Sequence, residues 1–315
     1  MKEIHSVALV TNPMSGHGRG LEVGAAAVAR FTTHGVRVRE LCGDSAADTT
    51  RLVRAALDDP DHRPDVVVSA GGDGLTCVVL QALAGTGIPL GLVPGGTGND
   101  LARQLEIPDD TDAAVDVVLA GKTRDVDLGT VDTAATAATA GESGPFWFAT
   151  VTGTGLDARV TLRANDLRWP NGPARYTVAA LIELFHGLAV PYRIELSGSP
   201  DHPDGTAVID TDAIMVAVGN TKTYGGGMLI CPDAVLDDGL LDLTVVGAMS
   251  RLQMLRMLPA LSSGKRIDHP AVSQYRAATI TLTAPGAPAT ADGEPAGMLP
   301  ATFRARPGAQ AILVP

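Results

Sequence analysis

The chain is poor in the features that mark disulfide scaffolds, nucleic-acid grips and membrane spans. It has three cysteines, Cys42, Cys77 and Cys231. They are odd in number, widely spaced and in no CxxC or CxxH pattern, which argues against a disulfide framework or a zinc site and fits a reducing cytoplasm. Basic residues are outnumbered, 24 Lys and Arg against 35 Asp and Glu, for a net charge of -11. That balance argues against a sequence-independent hold on nucleic acid, which needs clustered cations to neutralise phosphates, and leaves room only for a local basic patch. No run reaches the roughly 18 apolar residues of a membrane span, and Met1 to Val10 lacks a signal-peptide core, so any membrane contact is expected to be peripheral. What is present is apolar mass: 315 residues at 45% hydrophobic can fill more than one core, and the length fits two domains.

Glycine is abundant and placed with a pattern. Three glycine-rich turns each follow a short apolar run: Asn12, Pro13, Met14, Ser15, Gly16 after Val7 to Val10; Gly71, Gly72, Asp73, Gly74 after Val66 to Ala70; and Pro94 to Asp100, with Gly95, Gly96, Thr97, Gly98 and Asn99, after Leu90 to Val93. Glycine lets backbone approach a ligand closely, and a following helix N-terminus offers unsatisfied N–H groups with partial positive charge. Several such turns together suit phosphate.

From Ile4 to about Arg124, strands alternate with helices over short loops: strands 4–10, 36–41, 65–70 and 88–93, and helices 21–33, 46–58, 75–85, 98–105 and 111–120. This grammar predicts a doubly wound α/β domain with a parallel sheet, which binds ligands beyond the carboxyl ends of its strands. After Arg124 the runs become strand-length and rich in Val, Thr, Phe and Ile, at 125–132, 146–153, 192–197, 207–219, 240–246, 276–283 and 301–306, which predicts a mainly antiparallel β-sandwich. Helices are expected at 173–189 and 250–262, and the low-complexity stretch 132–144 reads as a mobile hairpin loop. The boundaries expected are 1–125, 126–306 and a terminal strand in 307–315 that could return to either sheet.

One competing reading belongs to the first turn. Gly16, Gly18 and Gly20 lie between strand and helix, and Glu40 closes the next strand about twenty residues on, as in a dinucleotide-binding fingerprint. The third glycine of that motif would fall at Leu21, and the other two turns stay unexplained.

Asn12 to Gly16, Gly71 to Gly74 and Pro94 to Arg103 closely resemble the catalytic domain of the bacterial diacylglycerol kinase and lipid kinase family, with more distant likeness to sphingosine kinases and NAD kinases. Gly219, Asn220, Gly225 to Met228, Pro232, Leu236 to Asp242 and the late Asp292, Gly293, Glu294 extend the resemblance in family order across nearly the whole chain. It implies an ATP-dependent kinase that phosphorylates a lipid hydroxyl, with nucleotide held between an α/β domain and a β-sandwich. Asn12 to Gly16, Gly71 to Gly74, Thr97 and Asn99 would line the nucleotide, and Asp292 or Glu294 would take the hydroxyl proton. The Asp238 side chain with the carbonyls of Val235 and Leu240 would bind a structural Mg²⁺, a hard ion suited to oxygen.

The residues themselves also allow plainer roles. Asp73 could cap a helix, Asp292–Gly293 is a favoured hairpin turn, and the Asp238 segment could be a solvated acidic turn. Two departures from the family pattern stand out: Leu75 replaces the usual threonine after GGDG, and His17 replaces a basic residue, with Arg19 and Arg103 nearby. The stripes Val178, Leu181, Ile182, Leu184, Phe185, Leu188 and Leu252, Met254, Leu255, Met257, Leu258, Leu261 suit a membrane interface, although such stripes are usually core. The partners expected are ATP, Mg²⁺ and a diacylglycerol-like lipid at a membrane surface, in a cytoplasmic protein with peripheral membrane association. Nucleic acid is not expected, and homodimerisation is left open. The alternatives are a kinase of a sphingoid or soluble acceptor, an NAD-dependent oxidoreductase, and a non-catalytic nucleotide-binding regulator.

Overall fold

The structure, a computed structural model, describes residues 3–12, 19–136, 145–167, 174–183, 189–254, 256 and 263–315. The chain divides into two compact units, Met1–Leu128 with Pro307–Pro315, and Gly129–Arg306.

In the first unit, β1 (Ser6–Thr11), α1 (Arg19–Thr33), β2 (Arg37–Cys42), α2 (Ala46–Leu57), β3 (Val66–Gly71), α3 (Asp73–Leu83), β4 (Leu90–Pro94), α4 (Asp100–Gln104) and α5 (Thr111–Ala120) follow one another. The strands are parallel in the order β2–β1–β3–β4. β3 is buried along its whole length, as a strand covered on both faces must be, which is why Val66, Val67 and Val68 carry no polar alternation. Helix starts are locally encoded: Ser45 accepts the Asp48 N–H at 3.2 Å and Asp110 accepts the Ala113 N–H at 2.9 Å. A bidentate Arg30–Asp116 pair joins α1 to α5, and Arg54 donates to the Gln81 carbonyl to tie α2 to α3.

The chain leaves this unit along β5 (Thr123–Asp132). The second unit holds β6 (Phe146–Phe148), β7 (Val151–Gly155), α6 (Leu156–Asp166), α7 (Ala174–Glu183), β8 (Val190–Ser199), β9 (His202–Gly219), β10 (Thr223–Tyr224), β11 (Met228–Leu229), β12 (Leu241–Gly247), β13 (Val272–Ala277), β14 (Thr279–Thr283), β15 (Pro288–Ala291) and β16 (Glu294–Met298), then the start of β17 (Ala301–Leu313). Pairing here is antiparallel. The long β9 pairs with β8 along its first part and with β7 and β12 along its last residues, so one strand feeds two runs of sheet. Their inner faces bury Tyr192, Ile194, Leu243, Ile280 and Phe303, with Phe148 meeting Phe303 edge to face at 6.4 Å. Gly129 stands opposite Phe148, where a Cβ would meet the ring at 2.0 Å. Only glycine leaves that ring its place.

The second unit departs from expectation in several places: the strand expected at 146–153 is two, β6 paired with β5 and β7 paired with β9, and the hairpin β15–β16 has no counterpart among the expected strands. Helix α6 lies beyond the strand expected at 146–153, where no helix is expected, and it starts without a local signal: Gly155, at φ +67, gives it no side-chain cap. The single strand expected at 276–283 is two, since the chain changes partner at Ala278 from β12 to β8. The pieces expected at 301–306 and 309–314 are one strand that passes Pro307 and Gly308, held by the Gly308 N–H donating to Asp127 Oδ1 at 2.8 Å. Its far end pairs in parallel with β4 at Ile312 and Leu90. Finally, 133–136 is an ordered turn pinned by its two buried threonines rather than loose chain, with Thr133 Oγ1 donating to the Ala296 carbonyl at 2.7 Å and Ala134 and Ala135 exposed; 137–144 lies outside the described residues.

Candidate active site

Strand register places the glycine turns along one edge of the first unit's sheet. Thr11 pairs with Ala70 and Gly71 with Pro94, so β1, β3 and β4 end level. β1 and β3 flank the point where the strand order reverses, the usual ligand position in such sheets. Asn12 is exposed there; Pro13, Met14, Ser15, Gly16 and His17 lie outside the described residues.

The second and third turns pack backbone to backbone. The Gly95 N–H donates to the Gly71 carbonyl at 2.9 Å. A Cβ on Gly96 would stand 2.5 Å from the Gly72 Cα. These glycines are therefore required by the approach of one turn to the other. Asn99, at φ 53, folds back on its own turn: its Oδ1 accepts the Gly96 N–H at 3.0 Å and its Nδ2 donates to the Gly96 carbonyl at 3.1 Å. Arg103 braces the same loop, donating to the Gly98 carbonyl at 2.6 Å and to Asp100 at 3.1 Å. Thr97 remains exposed at the tip.

Asp73 does cap a helix, but not its own. Its two oxygens accept the Asp100 and Leu101 N–H groups at 3.0 and 3.2 Å, so it closes the start of α4 and links the GGDG turn to the third turn. Burial raises its carboxyl above the ordinary value; the backbone bonds oppose that and the charge of Asp100 adds to it. Leu75 packs against Gly71 in the interior, and Thr76 bonds Ser69 at 3.1 Å, so neither side chain lies at the exposed edge.

In the second unit the Asp292–Gly293 pair is a two-residue hairpin turn between β15 and β16, with φ 49 and 85 as a type I′ turn demands. The Asp292 carboxylate also has a task. It accepts the Ala149 N–H at 2.8 Å, the Thr150 N–H at 2.8 Å and the Thr150 hydroxyl at 2.5 Å. Asn220, buried, holds that same segment by donating from Nδ2 to the Ala149 carbonyl at 3.1 Å, while the Asn220 N–H donates to the Thr150 carbonyl at 2.8 Å. Glu294 differs: it is exposed, no described residue hydrogen-bonds its carboxylate, and partial desolvation alone raises its pKa above the ordinary value. Ala149 and Thr150 carry no sequence signal because they fall inside the run expected as one strand at 146–153, with no motif of their own; the structure breaks that run at these two residues.

Around Asp238, Oδ1 accepts the Leu240 N–H at 3.0 Å and Oδ2 is engaged by Arg276. Asp242, pushed up to about 6 chiefly by burial, lies 3.6 Å from the Arg276 Nε. Val235 is exposed. Oxygen donors suit a hard cation, yet as arranged both oxygens of the one carboxylate are taken, so the set does not fit a bound metal unless Arg276 withdraws. Among the described residues no three His, Cys, Asp or Glu group as a metal site.

Comparisons with known proteins agree with this architecture. The diacylglycerol kinase catalytic domain matches residues 6–131, and the YegS C-terminal NAD kinase beta sandwich-like domain matches 150–314. A diacylglycerol kinase of Mycobacterium tuberculosis is 41% identical over 315 residues, covering 99% of this chain and 96% of that protein. One of Staphylococcus aureus is 27% identical, covering 94% and 88%. The crystal structure of a diacylglycerol kinase from Bacillus anthracis str. Sterne shares the fold, with TM-score 0.70 at 19% identity over 100% and 98% of the chains. The chain belongs to the diacylglycerol kinase family. It is a lipid kinase, a phosphotransferase with an alcohol group as acceptor. No described helix is long and apolar enough to cross a membrane.

Proposed function

We propose that this kinase transfers the γ-phosphoryl group of ATP to the hydroxyl of diacylglycerol, with Glu294 as general base and Asp292 as the residue that positions it. The observation that carries the assignment is the contrast between the two carboxylates. Asp292 spends its lone pairs on three donors, which fixes the turn; Glu294, first residue of β16, keeps its carboxylate open and is made more basic by desolvation. A base must be open to the proton it takes.

The level ends of β1, β3 and β4 support phosphate binding by Asn12 to Gly16, by Gly71, Gly72 and Gly74, and by Thr97, with Asp73 and Asn99 shaping the loops rather than touching nucleotide. A divalent ion brought with the nucleotide supplies charge neutralisation of the phosphates. No step is assigned to a metal at Val235, Asp238 and Leu240. Diacylglycerol as acceptor follows the activity named for the Mycobacterium tuberculosis relative.

Turnover of labelled ATP on diacylglycerol in detergent micelles tests the reading. Glu294→Gln should lower kcat by roughly 10²–10⁴ while ATP binding persists. Unchanged turnover would remove Glu294 from the base role.

A further inference from the structure

A groove of ≈ 540 Å³ runs along α6, lined by Arg159, Leu162, Arg163, Asp166, Leu167 and, from α7, Glu183. The spacing i, i+3, i+4, i+7 sets Arg159, Leu162, Arg163 and Asp166 on one helix face, and the volume is that of a small-molecule site. Phosphoryl transfer as described above does not use it.

Glu183 is only 3% exposed, and each of its oxygens is taken by one arginine: Arg159 Nε donates to Oε2 at 3.1 Å, and Arg163 Nε donates to Oε1. A carboxylate so held is not free for a ligand. It fixes two guanidiniums in the groove wall. Among the described residues Glu183 is the one hydrogen-bond partner of the Arg163 side chain, which stays 39% exposed, so its terminal N–H donors remain for an occupant.

The charges of the lining cancel, two arginines against Asp166 and Glu183. An anionic headgroup gains little from a site without net charge. An ammonium group finds Glu183 occupied and two guanidiniums beside it. What the groove offers is N–H donors between leucines, the complement of uncharged carbonyl oxygens flanked by hydrocarbon. The same helix carries Asn165, whose Nδ2 donates to the Gly293 carbonyl at 3.2 Å, next to Glu294. One rigid element thus bears the groove and grips the turn that holds the proposed base.

We infer that this groove seats the acceptor lipid by its ester carbonyls, with Arg163 donating to them, so that the enzyme selects an acylated glycerol over an ether lipid or a sphingoid base. The inference rests on the lipid-kinase reading of Glu294 and adds the substrate feature that is recognised.

The test is steady-state kinetics of the full chain in neutral mixed micelles at saturating ATP, with dioctanoylglycerol, its diether analogue dioctylglycerol, and sphingosine. Wild type should show a KM for the diester about tenfold below that for the diether, the loss expected for one hydrogen bond to a charged donor. Arg163→Leu should raise the diester KM about tenfold and leave the diether KM and the ATP KM unchanged. Equal wild-type KM values, a preference that survives Arg163→Leu, or faster turnover of sphingosine would each overturn the inference while leaving a lipid kinase. The wild-type comparison decides even if Arg163→Leu does not fold. Failure of wild type to phosphorylate any lipid would instead sink the kinase reading, and this one with it.

Discussion

Replacing Asp292 by Asn and Glu294 by Gln should separate a residue that builds the site from one that does the chemistry. Asp292 Oδ1 receives two donors from Thr150, and Oδ2 receives one from Ala149. An amide that keeps its oxygen toward Thr150 turns its NH₂ toward the Ala149 N–H, donor against donor. One charge-assisted bond is lost and two weaken, which costs about 3 kcal/mol. In a unit of this size that is a fall in Tm of roughly 6–12 °C. Glu294→Gln is isosteric, exposed and without a described partner, so its stability should change by less than about 0.5 kcal/mol.

Activity should order the other way. Glu294→Gln removes the proton acceptor and takes the larger loss in kcat, whereas Asp292→Asn, measured well below its Tm, loses less because Glu294 is still present. Thermal melts and turnover on the same preparations check both orderings. The pH profile gives an independent sign. The reactive form is the Glu294 carboxylate, and desolvation raises its pKa, so kcat/KM should climb with pH through a value above an ordinary glutamate's 4.5, a limb that Glu294→Gln abolishes. An Asp292→Asn variant as stable as wild type yet inactive, beside an active Glu294→Gln, would show the roles reversed.

The other predictions concern packing and charge. Gly96→Ala places a methyl 2.5 Å from the Gly72 Cα, so it should lower Tm by a few degrees and raise the ATP KM at least about tenfold, while Gly205→Ala, with nothing within 4 Å, should do neither. Asp157, which accepts the Tyr224 hydroxyl at 2.6 Å, has its carboxyl pushed from 3.8 up to about 6 by burial. Its contribution is therefore fully present below about pH 4 and lost as pH rises through 6, a cost of about 3 kcal/mol at pH 8. Asp157→Asn should raise Tm by several degrees at pH 8 and not at pH 4, and melts at the two pH values would refute this by showing equal shifts. Arg276→Gln should free Asp238, so that millimolar Mg²⁺ raises the Tm of the variant more than that of wild type; equal responses would mean Arg276 does not hold the site closed.

Most of the first unit was legible because its signals are local. Apolar runs of strand length, capping residues such as Ser45 and Asp110, and short loops each act within a few residues, and the parallel order follows from their alternation. The second unit was read less well for a physical reason: its elements are defined by partners far away in sequence. Ala278 divides two strands because β12 and β8 compete for the chain on either side of it, and Pro307–Gly308 fails to break β17 because Asp127 holds the Gly308 N–H. Neither fact is written near the residue it governs.

The site shows the same division more sharply. Motif order singled out Asp292 and Glu294 as candidate carboxylates, and the turn chemistry of Asp292–Gly293 was equally plain, so a functional and a plain structural reading competed for the same segment. The two readings are compatible in one arrangement. The I′ turn demands positive φ at Asp292, which aims that side chain back at Ala149 and Thr150 and delivers Glu294 at the head of β16 with its carboxylate open. Asn220 anchors the Ala149–Thr150 segment across 71 residues of sequence. What sequence could not supply was therefore the ground for the proposed allocation of roles, namely which carboxylate the backbone of Ala149 and Thr150 has already claimed.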